Sequence, residues 1–211
     1  MPIFFETEPA TGTKLAVWKI EEDEGFFSSR VPLQRTITHP HKRLQHLAGR
    51  WLLQHLFPEF PLDLIRVADT RKPYLHDEAF HFSISHCGDF AGAIASRDHR
   101  VGIDVEIVSE KVQRIRHKFV SAGEEQALDA ALPGQVLEQA TLLWSCKEAL
   151  FKWHGKGGLE FREHMTATAI QTLPGQAVET RFAFTKERPV DVDIRSKLFP
   201  GLCVSWIATP G

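Results

Sequence analysis

The sequence is poor in the features that mark several large protein classes. Its 211 residues include three cysteines, Cys87, Cys146 and Cys203. They are far apart, odd in number and form no C-x-x-C pair, so they read as reduced thiols and not as a disulfide framework. No apolar run approaches the roughly 20 residues of a membrane-spanning helix. The N-terminus lacks a basic segment followed by a long apolar one. A soluble, cytoplasmic chain without a membrane partner is therefore expected. Formal net charge is −2 and no long basic run occurs. The densest basic stretch, His41-Lys42-Arg43 with Arg50, is short, so a nucleic-acid partner is not expected. Low-complexity segments, linkers and fixed-period repeats are also missing.

What is present suits a packed core. Apolar residues make up 43% and charged residues 25%, with 15 Phe and 5 Trp. The length fits one large domain or two small, intimately packed halves. Residues 15–20 read as a strand, and 41–56 as a helix, with Leu44, Leu47, Trp51, Leu52 and His55 near one face. Short strands follow at 80–85, 90–95 and 101–107, separated by turn residues. Residues 111–132 look helical in two pieces, the second capped by Ser121 with Glu124 three residues on. Pro133-Gly134 breaks that run. Residues 135–154 give the strongest helical signal, stopped by Gly155-Lys156-Gly157-Gly158. Strands return at 167–171, 178–185 and 202–208. Helices between short sheets give an α+β class.

Three groups of residues can carry chemistry. Asp104 and Glu106 stand two apart on a strand and so share a face, while Ile103, Val105 and Ile107 are expected to point the other way, into a core. Adjacent carboxylates repel unless a cation or proton lies between them, and a hard-oxygen donor set favours Mg2+ or Mn2+. Trp144, Glu148 and Lys152 are spaced by four on the long helix and share a face. Glu148 can add a third carboxylate, and Lys147 and Lys152 can neutralise phosphate. Ser85-His86, at a strand end, and Lys72 can also hold phosphate. Each group alone also fits an ordinary solvated face, an i,i+4 pair or a turn cap. His39, His41 and His46 lack an H-E-x-x-H frame, Ser85-His86 lacks a G-x-S-x-G elbow, and the glycines at 155–158 follow a helix where a P-loop precedes one.

Taken in order, Lys72-Pro73-Tyr74, Ser83-Ile-Ser-His86, Val101-Gly-Ile-Asp104-Val-Glu106 and Trp144-Ser-Cys-Lys147-Glu148-Ala-Leu-Phe-Lys152 resemble the surfactin-synthetase type of 4'-phosphopantetheinyl transferase. That family is marked by a G-[IV]-D-x-E strand and a W-[SCT]-x-K-E-[AS]-x-x-K helix roughly forty residues apart, and both are intact here. The resemblance covers about residues 40–158. It implies two pseudo-symmetric α/β halves, 1–98 and 99–211, each a small, mainly antiparallel sheet packed with helices, with coenzyme A in a cleft between them. It implies that Asp104, Glu106 and Glu148 bind Mg2+ (or Mn2+), with Glu148 also a candidate general base. Lys152 would meet the pyrophosphate, Ser85 and His86 the coenzyme A phosphates and Lys72 the 3'-phosphate. Lys147, Arg43 and Arg50 are further candidates for coenzyme A. The implied reaction moves 4'-phosphopantetheine from coenzyme A to a serine of an apo acyl carrier protein or a peptidyl or aryl carrier domain, leaving adenosine 3',5'-bisphosphate. Carrier docking is expected near Arg114–Glu125, with Arg114, Arg116, Lys118 and Phe119 as a basic and apolar face for an acidic helix. A pseudo-dimeric chain suggests a monomer. Two rivals stand beside this reading. One is a coenzyme A-binding relative without activity. The other is a metal-dependent nuclease or phosphodiesterase, against which Val108 stands where D…E-x-K would place lysine.

Overall fold

The computed structural model describes residues 3–33 and 36–211. Its elements in order are β1 (Ile3–Ala10), β2 (Thr13–Lys19), α1 (Glu24–Ser28), α2 (Pro40–Leu56), β3 (Arg66–Val67), β4 (Pro73–Tyr74), β5 (His81–Cys87), β6 (Phe90–Ser96) and β7 (His99–Ile107). Then come α3 (Glu110–Arg114), α4 (Ala122–Ala131), α5 (Val136–His154), α6 (Phe161–His164), β8 (Met165–Leu173), β9 (Ala177–Phe184), β10 (Val190–Phe199) and β11 (Leu202–Pro210). The class is α+β. The chain forms two compact units, Met1–Ile103 with Ala208–Gly211, and Asp104–Ile207. No helix among the described residues is long and apolar enough to cross a membrane.

In the first unit a four-stranded sheet runs β1-β2-β6-β5, with each of these pairs antiparallel. The long helix α2 packs on it. His39 caps that helix, its ring nitrogen accepting from Lys42 N–H, and Pro40 occupies the first turn, where a missing N–H costs nothing. The helix is buried across Gln45–Arg50, a wider stripe than spacing alone suggests. Gly49 is what allows this: a Cβ there would stand 2.6 Å from Ile84 Cγ2, so the helix lies against β5 at a distance only glycine permits. Leu47, Leu52, Trp18, Phe60 and Phe82 fill the core between them.

The second unit carries a five-stranded sheet in the order β7-β11-β10-β9-β8. Helix α5 packs on it, burying Leu143, Cys146 and Leu150 against Phe182 and Ile194. Gly155 ends α5 in the left-handed region at φ 73°, the usual conformation of a helix C-cap. Ser121 and Glu124 form the expected capping box on α4. On β7, Ile103 and Val105 are fully buried, but Ile107 is 36% exposed. The expectation that Ile107 faces the core is therefore corrected: it is the last residue of the strand, past the end of the apolar layer. Strands β1, β3, β4 and β10 and helices α1 and α6 are additions to the sequence reading.

Candidate functional site

The second unit brings β7 and α5 together so that their polar residues meet. Asp104 lies in mid-strand with only 4% of its side chain exposed, and its Oδ1 accepts from Lys152 Nζ at 2.7 Å. One turn before Glu148 on α5, Trp144 donates its indole N–H to Glu106 Oε1 at 3.2 Å. Glu148 stands between these two contacts on the same helical face, as the four-residue spacing dictates. Its carboxyl is pushed up to about 7, first by burial and then by the negative charge of Asp104, with Glu106 adding to it and Lys152 opposing. The three carboxylates thus feel one another, and the Lys152 ammonium partly balances them. Among the described residues no three His, Cys, Asp or Glu side chains converge as a ready-made metal cage.

Beside Glu148 opens a cavity of about 360 Å³, walled by Phe119, Trp144, Phe151, Leu159 and Phe161. The rings of Phe119 and Phe161 pack on Trp144 with centroids 5.1 and 5.4 Å away. Lys118 and Glu160 complete the lining with Glu148, so the cavity has an aromatic wall and charged groups of both signs.

Lys147, the neighbour of Glu148, is placed differently. Its side chain is fully buried and pairs with Glu124 at 2.8 Å. It donates further hydrogen bonds to the backbone carbonyls of Phe119 and Phe161, at 2.6 and 3.1 Å. No part of it faces solvent, so it is not available to touch coenzyme A directly. Sequence reasoning saw Glu124 only as a helix cap. The structure shows one of its oxygens accepting from Ser121 N–H and the other from Ala167 N–H and Lys147. The missed signal is the apolar setting of Lys147 between Cys146 and Leu150, one helical step from the polar face.

The expected docking segment is only partly a surface. Arg116 is buried, its guanidinium held by Glu125, Gln139 and Gln113, and Phe119 is 1% exposed. Both were drawn inward because α3 and the turn after it pack on α5, so Arg114, His117 and Lys118 alone of residues 114–120 are exposed.

In the first unit, Lys72 is half-buried, and its ammonium is pushed down to about 8 by burial and by the nearby Arg100 charge. Ser85 is buried and His86 exposed on β5. Arg43 pairs with Glu24 at 2.7 Å and donates to Ile37 O. Arg50 is buried on α2 with its guanidinium 3.0 Å from His46 Nδ1. The histidines of α2 are separately occupied, since His41 Nε2 lies 2.9 Å from Gly88 O.

Comparisons with known proteins agree with this geometry. Residues 100–198, which span β7, α5 and most of the second sheet, match the family described as "4'-phosphopantetheinyl transferase superfamily". The chain is 30% identical over 116 residues to the 4'-phosphopantetheinyl transferase AcpT of Escherichia coli strain K12, covering 54% of this chain and 59% of that protein. It is 34% identical over 113 residues to enterobactin synthase component D of Salmonella austin, covering 53% and 47%. Against 4'-phosphopantetheinyl transferase psf-1 of Bacillus pumilus the identity is 36% over 119 residues, covering 53% and 50%. Each match thus spans about half of this chain and about half the length of the relative. Over residues 100–198 the chain is similar to the 4'-phosphopantetheinyl transferase superfamily.

Proposed function

We propose that the protein transfers 4'-phosphopantetheine from coenzyme A to a serine hydroxyl of an apo carrier protein or carrier domain, in a Mg2+-dependent reaction. The observation that carries this reading is the junction of β7 and α5, where Asp104, Glu106 and Glu148 act on one another beside Lys152. An oxygen-only donor set suits Mg2+, which keeps several waters and binds through one or two carboxylates plus substrate phosphate oxygens. A closed cage of protein ligands is then not required. When bound, such an ion supplies charge stabilisation at phosphate oxygens.

The residues of the chain divide the remaining work. Asp104, Glu106 and Glu148 would hold the ion. Lys152 exchanges its contact with Asp104 for the pyrophosphate. Glu148, which lines the cavity beside this junction, is placed to take the serine proton. The serine oxygen forms its bond to the phosphorus nearest pantetheine as the bond to the departing adenosine 3',5'-bisphosphate breaks, and the negative charge leaves with that product. The aromatic cavity beside Glu148 suits the uncharged pantetheine arm. In the first unit Lys72, with Ser85 and His86, is assigned to the other phosphates of coenzyme A; Arg43 and Arg50 are secondary candidates. The exposed Arg114 and Lys118 offer positive charge to an acidic carrier helix.

Fluorophore-labelled coenzyme A incubated with a panel of apo carriers and Mg2+ tests this reading. Label on at least one carrier, lost when its acceptor serine is replaced by alanine, is the expected result. Tight coenzyme A binding without labelling of any carrier would favour a binding-only relative.

A further inference from the structure

The role of Lys147 is left open by the chemistry above, on which the following inference rests. We propose that Lys147 is a positioning residue, whose ammonium ties together the two backbone segments carrying Phe119 and Phe161 and so fixes the aromatic wall beside Glu148.

A lysine ammonium has three protons, and all three are directed here: to Glu124 Oε1, to Phe119 O and to Phe161 O. The two carbonyls come from segments far apart in sequence, the turn before α4 and the start of α6. Their side chains pack on the same indole, that of Trp144, and that indole in turn donates to Glu106. The anchor is itself fixed. Glu124 accepts from Ala167 N–H on β8 at 2.9 Å and from Ser121 N–H at the α4 cap at 2.8 Å. One buried cation therefore links α4, β8, the two loop segments and the helix that carries Glu148. Burying a charge is costly, and a site that needed only packing would hold an apolar residue of similar volume more cheaply. What lysine adds at this point is three directed hydrogen bonds.

The test compares wild type with Lys147→Met and with Lys147→Met combined with Glu124→Gln. The measurements are thermal midpoint, near-ultraviolet circular dichroism well below that midpoint, and kcat and KM for labelled coenzyme A on a carrier that wild type modifies. Lys147→Met strands a buried carboxylate and lowers the midpoint. The double variant removes both charges, and the glutamine oxygen can still accept from Ser121 N–H while Ala167 N–H loses its acceptor, so only part of the midpoint returns. The aromatic wall remains unfixed in both. Accordingly kcat falls by about tenfold to a hundredfold in both variants, and KM for coenzyme A rises because the same wall receives the pantetheine arm. The near-ultraviolet band that Trp144→Phe abolishes is weakened in both. A double variant with wild-type kcat and an unchanged spectrum would overturn the proposal, leaving Lys147 a structural residue only. Failure of both variants to fold would overturn it too, because Lys147 would then be needed for the fold itself. If wild type modified no carrier, the transferase reading would fall, and the spectrum and midpoint would still decide the positioning claim.

Discussion

Replacing Lys72 by methionine is expected to stabilise the protein near neutral pH while weakening its hold on coenzyme A. The ammonium is pushed from 10.5 down to about 8 by burial, with Arg100 adding a like charge. At about 1.4 kcal/mol for each pH unit, that drop corresponds to roughly 3.5 kcal/mol. Lys72 is only half-buried, and solvent screening reduces the figure to about 1–2 kcal/mol. Because the folded pKa lies below the unfolded one, the unfolded chain holds more protons between about pH 8 and 10.5. Wild-type stability should therefore rise with pH across that window, and the whole penalty is present below it. Methionine has no proton to hold, so the variant should lack this rise and melt about 2–8 °C higher than wild type at pH 7. Thermal melts of both proteins from pH 7 to 10, with KM for coenzyme A measured at pH 7, check the two halves together. A variant less stable than wild type at pH 7, or one with the same pH rise, would refute the desolvation reasoning. An unchanged KM would remove Lys72 from the coenzyme A contacts.

Other outcomes follow from the same contacts. Gly49→Ala should destabilise by about 1–3 kcal/mol through overpacking, although alanine is the better helix former, because its Cβ would meet Ile84 Cγ2; Ile84→Ala in the same chain should recover most of the loss in urea melts. Gly155→Ala should cost about 1–2 kcal/mol, since the residue sits at φ 73°. Asp104→Asn keeps the shape but removes the charge facing Lys152, and should lower transfer by at least about a hundredfold while leaving the circular dichroism spectrum intact.

Much of the second unit was legible because local signals agreed there. The capping box at Ser121, the glycine stop at 155 and the two-residue period of Asp104 and Glu106 each follow from short-range sterics or hydrogen bonding, and the structure reproduces them. Trp144, Glu148 and Lys152 fell on one face because the helical repeat puts them there. Strand β1 was hidden by Glu6, Glu8 and Pro9, which an edge strand tolerates on its open side. Strand β10 carries a clear alternation, with Val192 and Ile194 buried and Asp191, Asp193 and Arg195 exposed, but charged residues are weak strand formers by themselves. The charges are in fact answered across the ladder, where Arg181 pairs with Asp193 and Arg195 with Glu179. Burial of Lys147 and Arg116 was the least legible feature. Long basic side chains read as surface by default, and only the tertiary positions of Glu124, Glu125 and Gln139 show that these two have partners inside.

The central claim is metal-dependent transfer of phosphopantetheine, and intact-protein mass spectrometry of an apo carrier tests it most directly. The carrier is incubated with this protein and coenzyme A, once with Mg2+ and once with EDTA, and adenosine 3',5'-bisphosphate is quantified in the same samples. The account predicts a gain of one phosphopantetheine on the carrier, one adenosine 3',5'-bisphosphate released for each group transferred, and neither with EDTA. No mass gain on any carrier, with the protein folded and a known transferase active on the same samples, would contradict it.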